Sequence, residues 1–180
     1  TNKDRWTDPA TKGTVVSGND GGGVYHPGAA MAGEDRVDGD TVVARSYGSM
    51  TYALFKGYIY AGLKKDDPRV RAALRWISAN WTLDENPGFD KTRTPDAGKT
   101  GLYYYYYTMS QALDAAGEEE IATPSGEKRA WRKEMAAKLK SLQLPDGSWK
   151  NDKDRFWEGS PVLCTSYSLL ALANCLKGMK

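Results

Sequence analysis

Tyrosine is the residue type with the clearest chemical potential in this sequence. The chain has 11 tyrosines, and five of them occupy residues 103–107 without interruption. The face of an aromatic ring attracts a cation by about 0.5–2 kcal/mol, so several such rings around one cavity could stabilise positive charge or hold a ligand. Packing between helices explains the same residues equally well. The tyrosines that we expect at a ligand cavity are Tyr47, Tyr58, Tyr103, Tyr107 and Tyr167.

The residue types present give little support for a disulfide, a metal site or a phosphate-binding loop. Cys164 and Cys175 lie 11 residues apart on one predicted helix, which separates them by roughly 16 Å and puts them beyond disulfide reach. Buried thiols are the simpler interpretation. With His26 as the single histidine, the chain lacks the residues of a structural zinc site. The glycines after Asp20 lack the Lys-Ser/Thr of a phosphate-binding loop, so we predict no metal and no cofactor.

Length, composition and charge are those of one ordinary globular domain. The 180 residues are 27% charged and 40% hydrophobic, with a formal net charge of +2. This charge is small, and the basic residues are interleaved with acidic ones, so we expect no nucleic-acid partner. No apolar run approaches the roughly 20 residues that span a bilayer. Because the sequence begins at Thr1 without a signal sequence, we expect a processed form or a fragment and predict no compartment.

Hydrophobic periodicity predicts five helices, which would position these residues. The first, third and fifth are apolar on most sides and should be buried all round, whereas the second and fourth carry one apolar stripe and should expose one face. Residues 1–45 show no sustained period, which predicts a Gly- and Asp-rich loop region with a short extended piece at 41–43. The predicted helices span residues 46–63, 68–81, 102–116, 127–143 and 161–176.

Residues 46–180 read as a repeat of helical hairpins. Superposing Gly62 on Gly117 places Trp76 beside Trp131, 55 residues further on. Each unit then has a helix that is buried on all sides, followed by a helix with one solvent-exposed face. Stacked hairpins of this kind form either an open solenoid or a closed ring.

One stretch of this repeat resembles a known family motif. The spacing Leu139-x3-Gln143-x3-Gly147-x-Trp149 resembles the QW repeat of the squalene and oxidosqualene cyclases. Related forms occur in protein prenyltransferase β subunits and in bacterial proteins with prenyltransferase/squalene-oxidase repeats. The likeness extends over roughly residues 45–178, although the basic-plus-small pair that usually precedes the motif is absent. In this family setting Gln143, Gly147 and Trp149 are a structural motif.

The resemblance implies an all-α fold, an α/α toroid with inner helices around an apolar central cavity. Five helices would make about half of such a toroid. The inner faces need a cover, because each fully exposed large side chain forgoes about 1.5–3 kcal/mol. We therefore expect the missing half to be either an N-terminal segment or a second copy of the chain.

The resemblance also suggests where an acid would lie. Cyclases of this family protonate an alkene with an aspartic acid from a D-x-D-D motif. Asp38-Gly39-Asp40-Thr41 is the nearest sequence here; Asp40 matches the proton donor, Asp38 precedes it, and Thr41 replaces the final aspartate. A strong acid needs a shielded carboxyl, so a solvated loop acid is the alternative. The zinc ligands of the prenyltransferases, in the order Asp, Cys, His, are not matched, because His26 precedes Cys164.

These observations lead to one main functional expectation and two alternatives. The main expectation is a protein whose tyrosine-rich inner surface binds an isoprenoid or lipid-like ligand, without evident catalysis. The first alternative is an active triterpene cyclase, an isomerase that uses an Asp proton donor. The second is a non-catalytic protein-interaction scaffold. The incomplete acid motif favours binding.

Overall fold

The computed structural model describes residues 5–7, 13–26, 28, 30–92 and 94–177. Within this part of the chain the five predicted helices are confirmed, but the all-α half-toroid is wrong, because strands in two sheets accompany them. The protein is a mixed α/β chain. The helices are α1 (Gly48–Tyr60), α2 (Pro68–Ala79), α3 (Leu102–Ala116), α4 (Trp131–Leu142) and α5 (Pro161–Lys177).

The N-terminal region that was expected to be a loop contains a four-stranded sheet. Its strands are β1 (Arg5–Thr7), β2 (Thr14–Ser17), β3 (Glu34–Asp38) and β4 (Thr41–Ala44), in the order β1-β2-β4-β3. Strands β2 and β4 are parallel, and the other pairs are antiparallel. The extended piece predicted at 41–43 is β4. Strands β1, β2 and β3 were not predicted, because strands of three to five residues are too short to show a hydrophobic alternation. In addition, β3 is charged and exposed at every residue.

A second, two-stranded sheet precedes α4. It pairs β5 (Ile121–Ala122) with β6 (Lys128–Arg129) in antiparallel fashion. The predicted fourth helix therefore begins at Trp131 instead of Glu127, because the backbone groups at 128–129 bond across this hairpin.

Helix α3 is the centre of the helical layer. It lies between α1 and α5, while α2 packs on α1 and α4 packs on α5. Tyr105 and Tyr106 are fully buried, and their hydroxyls donate to the backbone oxygens of Thr82 (2.8 Å) and Leu83 (2.6 Å). A buried tyrosine is tolerated when its hydroxyl has such a partner. The expectation that this helix is buried all round is confirmed.

Helix α5 differs from the expectation that it is buried all round. Its inward face carries the small residues Cys164, Ser168, Ala171 and Cys175, all fully buried. Its opposite face carries larger apolar side chains that remain in water, and Val162 is 78% exposed. The pattern showed that α5 is apolar on all sides, but only one side has a neighbour.

The stretch from Gln143 to Trp149 begins the connection from α4 to α5. Gln143 follows α4, and its side-chain amide donates to the backbone oxygen of Gly147 at 2.9 Å. Gly147 adopts a left-handed φ of 84°, which glycine tolerates without strain. The Trp149 ring is buried, its indole N–H donates to the Leu139 oxygen at 2.8 Å, and its backbone N–H donates to the Thr165 hydroxyl at 3.1 Å. The tryptophan therefore ties the end of α4 to the first turns of α5.

We expect Trp149→Ala to lower the free energy of unfolding by about 3–5 kcal/mol, because it leaves a cavity and an unpaired carbonyl. Urea denaturation followed by far-UV circular dichroism measures this loss. Trp157→Ala is the matched control, since Trp157 is 81% exposed and should cost little. A loss below about 1 kcal/mol for Trp149→Ala would show that the ring does not hold the two helices together.

Candidate ligand-binding cavity

A cavity with a volume of about 340 Å³ lies at the N-terminal ends of α1 and α3 and beside α5. This volume is at the lower end of the range of roughly 300–1,000 Å³ typical of small-molecule pockets. Most of the wall is aromatic ring and methionine thioether, the composition that suits an apolar ligand. The lining residues are Tyr25, Met31, Tyr47, Ser49, Met50, Asn86, Gly101, Tyr104, Phe156 and Tyr167.

The α1 side of the cavity is built around Tyr47, the residue that precedes the helix. Its ring is buried and packs edge-on against Phe89 with 5.2 Å between the centroids. Burial raises the pKa of Tyr47 to about 12, so its phenol is neutral at physiological pH. Ser49 and Met50, in the first turn of α1, complete this side.

The opposite side is a group of stacked tyrosines from α3 and α5. The rings of Tyr104 and Tyr167 lie 5.7 Å apart, and Tyr107 stacks on Tyr167 at 5.2 Å with an interplanar angle of 22°. Burial raises the pKa of both Tyr104 and Tyr167. These phenols are therefore neutral, and their ring faces form a rigid wall.

Asn86 holds the first turn of α1 in place. Tyr47 has no side chain that can cap this helix, so its first N–H groups need partners from elsewhere. The Asn86 side-chain oxygen accepts from the Ser49 N–H at 2.9 Å. Its amide nitrogen donates to the Thr100 oxygen at 3.1 Å and to the Ser49 hydroxyl at 3.2 Å. Asn86 thus joins α1 to the start of α3 across the floor of the cavity.

Glu158 holds the first turn of α3 in place. The residue before α3 is Gly101, which has no side chain to cap the helix. A Glu158 carboxylate oxygen accepts from the Tyr104 N–H at 2.8 Å, and the other accepts from the Asn151 side chain at 2.6 Å. Glu158 is fully buried, and this burial raises its pKa against the opposing effect of Asn151 and the helical N–H groups. A carboxylate at a helix N-terminus is favourable, so Glu158 fixes the backbone behind the tyrosine wall.

Two segments form the mouth of the cavity. Gly23 crosses the first turn of α1, where its N–H donates to the Thr51 hydroxyl at 3.0 Å. A Cβ there would lie 2.6 Å from the Met50 oxygen, so only glycine allows this approach, which carries Tyr25 to the rim. On the other side Phe156 reaches the rim with a φ of 68°, a left-handed conformation that is costly for a bulky residue.

The structure brings two of the five predicted cavity tyrosines to this site. Tyr47 and Tyr167 line it, and Tyr107 stacks behind Tyr167. Tyr58 lies elsewhere on α1, with the Arg69 guanidinium 6.0 Å from its ring centre. Tyr103 is buried in the core, where it packs edge-on against Tyr106 at 5.9 Å.

Sequence reasoning missed most of the other lining residues. Tyr104 had a usable signal, because residues three apart on a helix share a face and Tyr107 was already predicted at the cavity. Met31, Phe156 and Tyr25 lie in loops, where hydrophobic periodicity does not indicate the direction in which a side chain points. Their placement depends on contacts with residues far away in the sequence.

Asp38 and Asp40 lie outside the cavity. Asp38 ends β3, Asp40 lies in the turn to β4, and both are exposed. The Asp40 backbone oxygen accepts from the Thr14 N–H at 3.1 Å, while the Arg36 guanidinium donates to the Gly39 oxygen at 2.9 Å. Neither carboxyl lines the cavity, so the structure does not combine the candidate acids with the aromatic wall.

The described lining residues include no acidic, basic or thiol side chain. Cys164 and Cys175 are free and buried, in agreement with the interpretation as buried thiols, and burial raises the Cys164 pKa to about 12. In the described part of the chain, no cluster of three or more His, Cys, Asp or Glu is arranged to hold a metal ion. Among the same residues, none of the helices has the length and apolarity to span a bilayer.

Comparison with known proteins adds no relative. No family model matches the chain, and no curated protein or solved structure matches it significantly. The resemblance to the cyclases and prenyltransferases thus stays a prediction that rests on the residues quoted for it.

Glu158 gives the site a pH dependence that can be measured. Because burial raises its pKa, the folded protein holds this proton more tightly than the unfolded chain does. The stabilising contribution of Glu158 therefore falls as the pH rises above its ordinary value of 4.5. Glu158→Gln imitates the protonated form and does not titrate. We expect the free energy of unfolding of the wild type, minus that of Glu158→Gln, to fall from pH 5 to neutrality.

Chemical denaturation at a series of pH values measures this difference. Glu34→Gln, at an exposed residue of β3, controls for the effect of the substitution itself. A difference that stays constant, or that grows with pH, would contradict the account of a buried carboxyl with a raised pKa.

Proposed function

We propose that this protein binds an isoprenoid or similar lipid-like ligand in the tyrosine-lined cavity and does not transform it. The observation that carries the proposal is the make-up of the wall. Its described residues provide five aromatic rings and two methionines, but no group that titrates near neutral pH. An apolar chain gains about 25 cal/mol for each Å² removed from water, and such a wall offers it contacts on several sides.

One polar atom in the wall gives the ligand an orientation. The Ser49 hydroxyl accepts from the Asn86 amide at 3.2 Å, and it donates to no described residue. Its proton is therefore available for an oxygen on the ligand. The phenols of Tyr104 and Tyr167 also make no hydrogen bond to the described residues, in contrast to Tyr105 and Tyr106 in the core. A prenyl alcohol, with an apolar chain and one hydroxyl, fits both features.

Cyclisation of a triterpene is the weaker candidate. It needs a carboxylic acid shielded from water at the end of the cavity, and the two candidate acids are exposed. The cavity also opens to water at Tyr25, which is 63% exposed. A carbocation formed there would meet solvent.

The proposal includes a cover for the open side of the helical layer. Either a segment outside the described residues or a second copy of the chain could supply it. The third candidate, a scaffold that binds another protein, would use the same surface. The exposed residues of α5 decide between these occupants.

Farnesol is a suitable probe, and we expect it to bind to the purified protein in isothermal titration calorimetry. Tyr167→Ala should weaken its binding at least tenfold, which corresponds to about 1.4 kcal/mol, because the ring forms part of the wall. Tyr58→Ala is the matched control, since Tyr58 does not line the cavity, and it should bind as the wild type does.

Product analysis after incubation with squalene separates binding from catalysis. We expect squalene to be recovered unchanged. A cyclised product that disappears in Asp40→Asn would show that the protein is an enzyme. Absence of farnesol binding, or equal affinity in Tyr167→Ala and Tyr58→Ala, would contradict the proposed site.

A further inference from the structure

The outward face of α5 is apolar and uncovered. Leu169 is 56% exposed and Leu176 62% exposed, while the fully buried residues on the face toward the core are small, such as Ala171. Tyr167 and Leu172, which flank that face, are half-buried against the core. A helix that leaves leucines in water opposite a face of small residues departs from the usual arrangement. Exposed apolar residues that adjoin on one face are a feature of interaction sites.

Five of the exposed residues of α5 have the spacing of a helix–helix seam, and Leu170, which is also exposed, lies at its side. They follow one another at intervals of four, three, four and three residues, the repeat with which helices pair in coiled coils. Large and small side chains alternate along the seam, and the order is the same when it is read from either end, with Leu169 at the centre. The seam residues are Val162, Ser166, Leu169, Ala173 and Leu176.

A seam of this kind is complementary to its own antiparallel copy. With Leu169 on a two-fold axis, Val162 and Leu176 are each seven residues from the axis, so Val162 of one copy meets Leu176 of the other. Ser166 and Ala173 are three and four residues from the axis, so the two small residues lie next to each other with an offset of one residue. The helix carries no charged residue from Pro161 to Leu176, so two copies can approach without like-charge repulsion. Antiparallel pairing also places the positive end of each helix dipole beside the negative end of the other.

The exposed surface of α1 argues against a contact between α5 of one copy and α1 of another. At the other edge of the helical layer, the one large hydrophobic residue of α1 that is exposed is Tyr60, at its C-terminal end. A head-to-tail contact between α5 and α1 would therefore leave most of the α5 seam against polar surface. A two-fold contact instead uses the same patch on both chains.

We propose that the α5 seam is a homodimer interface, in which two copies of this chain pair through antiparallel α5 helices related by a two-fold axis at Leu169. A helix of 17 residues is about 25 Å long, and a single helix pair lies near the lower limit of stable interfaces, roughly 1,000 Å² of buried surface. The dimer is therefore reversible and depends on protein concentration. This inference rests on the surface of α5 and not on the cavity, so each can fail without the other.

Sedimentation equilibrium over a wide concentration range tests the association. The wild-type mass should rise from 19.8 kDa toward twice that value. Leu169→Glu, which places two like charges on the axis, should remain at the monomer mass with unchanged circular dichroism. Leu144→Glu, at an exposed apolar residue in the turn after α4, is the matched control and should still dimerise.

Disulfide cross-linking tests the direction of pairing. Oxidation should cross-link Leu169→Cys to itself, because that residue meets its own copy on the axis, and it should leave Val162→Cys largely uncross-linked. The double variant Val162→Cys/Leu176→Cys should cross-link again. The wild type is the blank, since Cys164 and Cys175 are buried.

Three results would overturn the proposal. One is a wild-type chain that stays monomeric at every concentration, as expected if another segment or another protein covers α5. Another is a dimer that survives Leu169→Glu. The third is a Val162→Cys variant that cross-links as readily as Leu169→Cys, which would indicate parallel pairing.

Discussion

The N–H groups in the first turns of α1 and α3 receive no side-chain acceptor from the residue that precedes each helix. The rest of the structure depends on which other residues accept hydrogen bonds from these groups. These groups point toward the end of the layer where the cavity lies, and an N–H group that is buried without a partner costs about 1–3 kcal/mol. Asn86 accepts from α1, and Glu158 accepts from α3. Asn86 lies in the loop that follows α2, and Glu158 lies in the loop that follows α4. Each of these hydrogen bonds therefore also holds its loop against the helix whose N–H group it accepts from.

The cavity is formed by the two loops that contain Asn86 and Glu158. The loop with Asn86 closes the floor between α1 and the start of α3, and the loop with Glu158 carries Phe156 to the mouth. Because Glu158 accepts from the backbone of α3 and does not line the cavity, this buried carboxylate acts as a structural acceptor. The described wall of the cavity is left mainly to aromatic rings and methionines. This division of roles is the physical basis of the proposal that the cavity binds a ligand without transforming it.

Sequence patterns predicted those parts of the molecule that depend on local periodicity. Leu102–Ala116 is helical where the tyrosine run continues into Met109 and Leu113, and Gly117 ends it with a φ of 63°. The sheet was missed because its strands are short and β3 faces water on every residue. The caps were missed because Asn86 lies 37 residues from its partner and Glu158 lies 54 residues from its partner. The burial of α5 was predicted wrongly, because an apolar pattern shows that a face needs a cover and does not show that it has one.

The four described methionines divide between the cavity and the core, and this allows the central claim to be tested directly. Met31 and Met50 line the cavity, whereas Met109 and Met135 are fully buried in the helical core. Methionine methyl groups labelled with carbon-13 can be followed by NMR while farnesol is added. The account predicts saturable shifts for the Met31 and Met50 methyls, with those of Met109 and Met135 nearly unchanged. Unchanged Met31 and Met50 signals at saturating farnesol, or shifts confined to the core methionines, would contradict it.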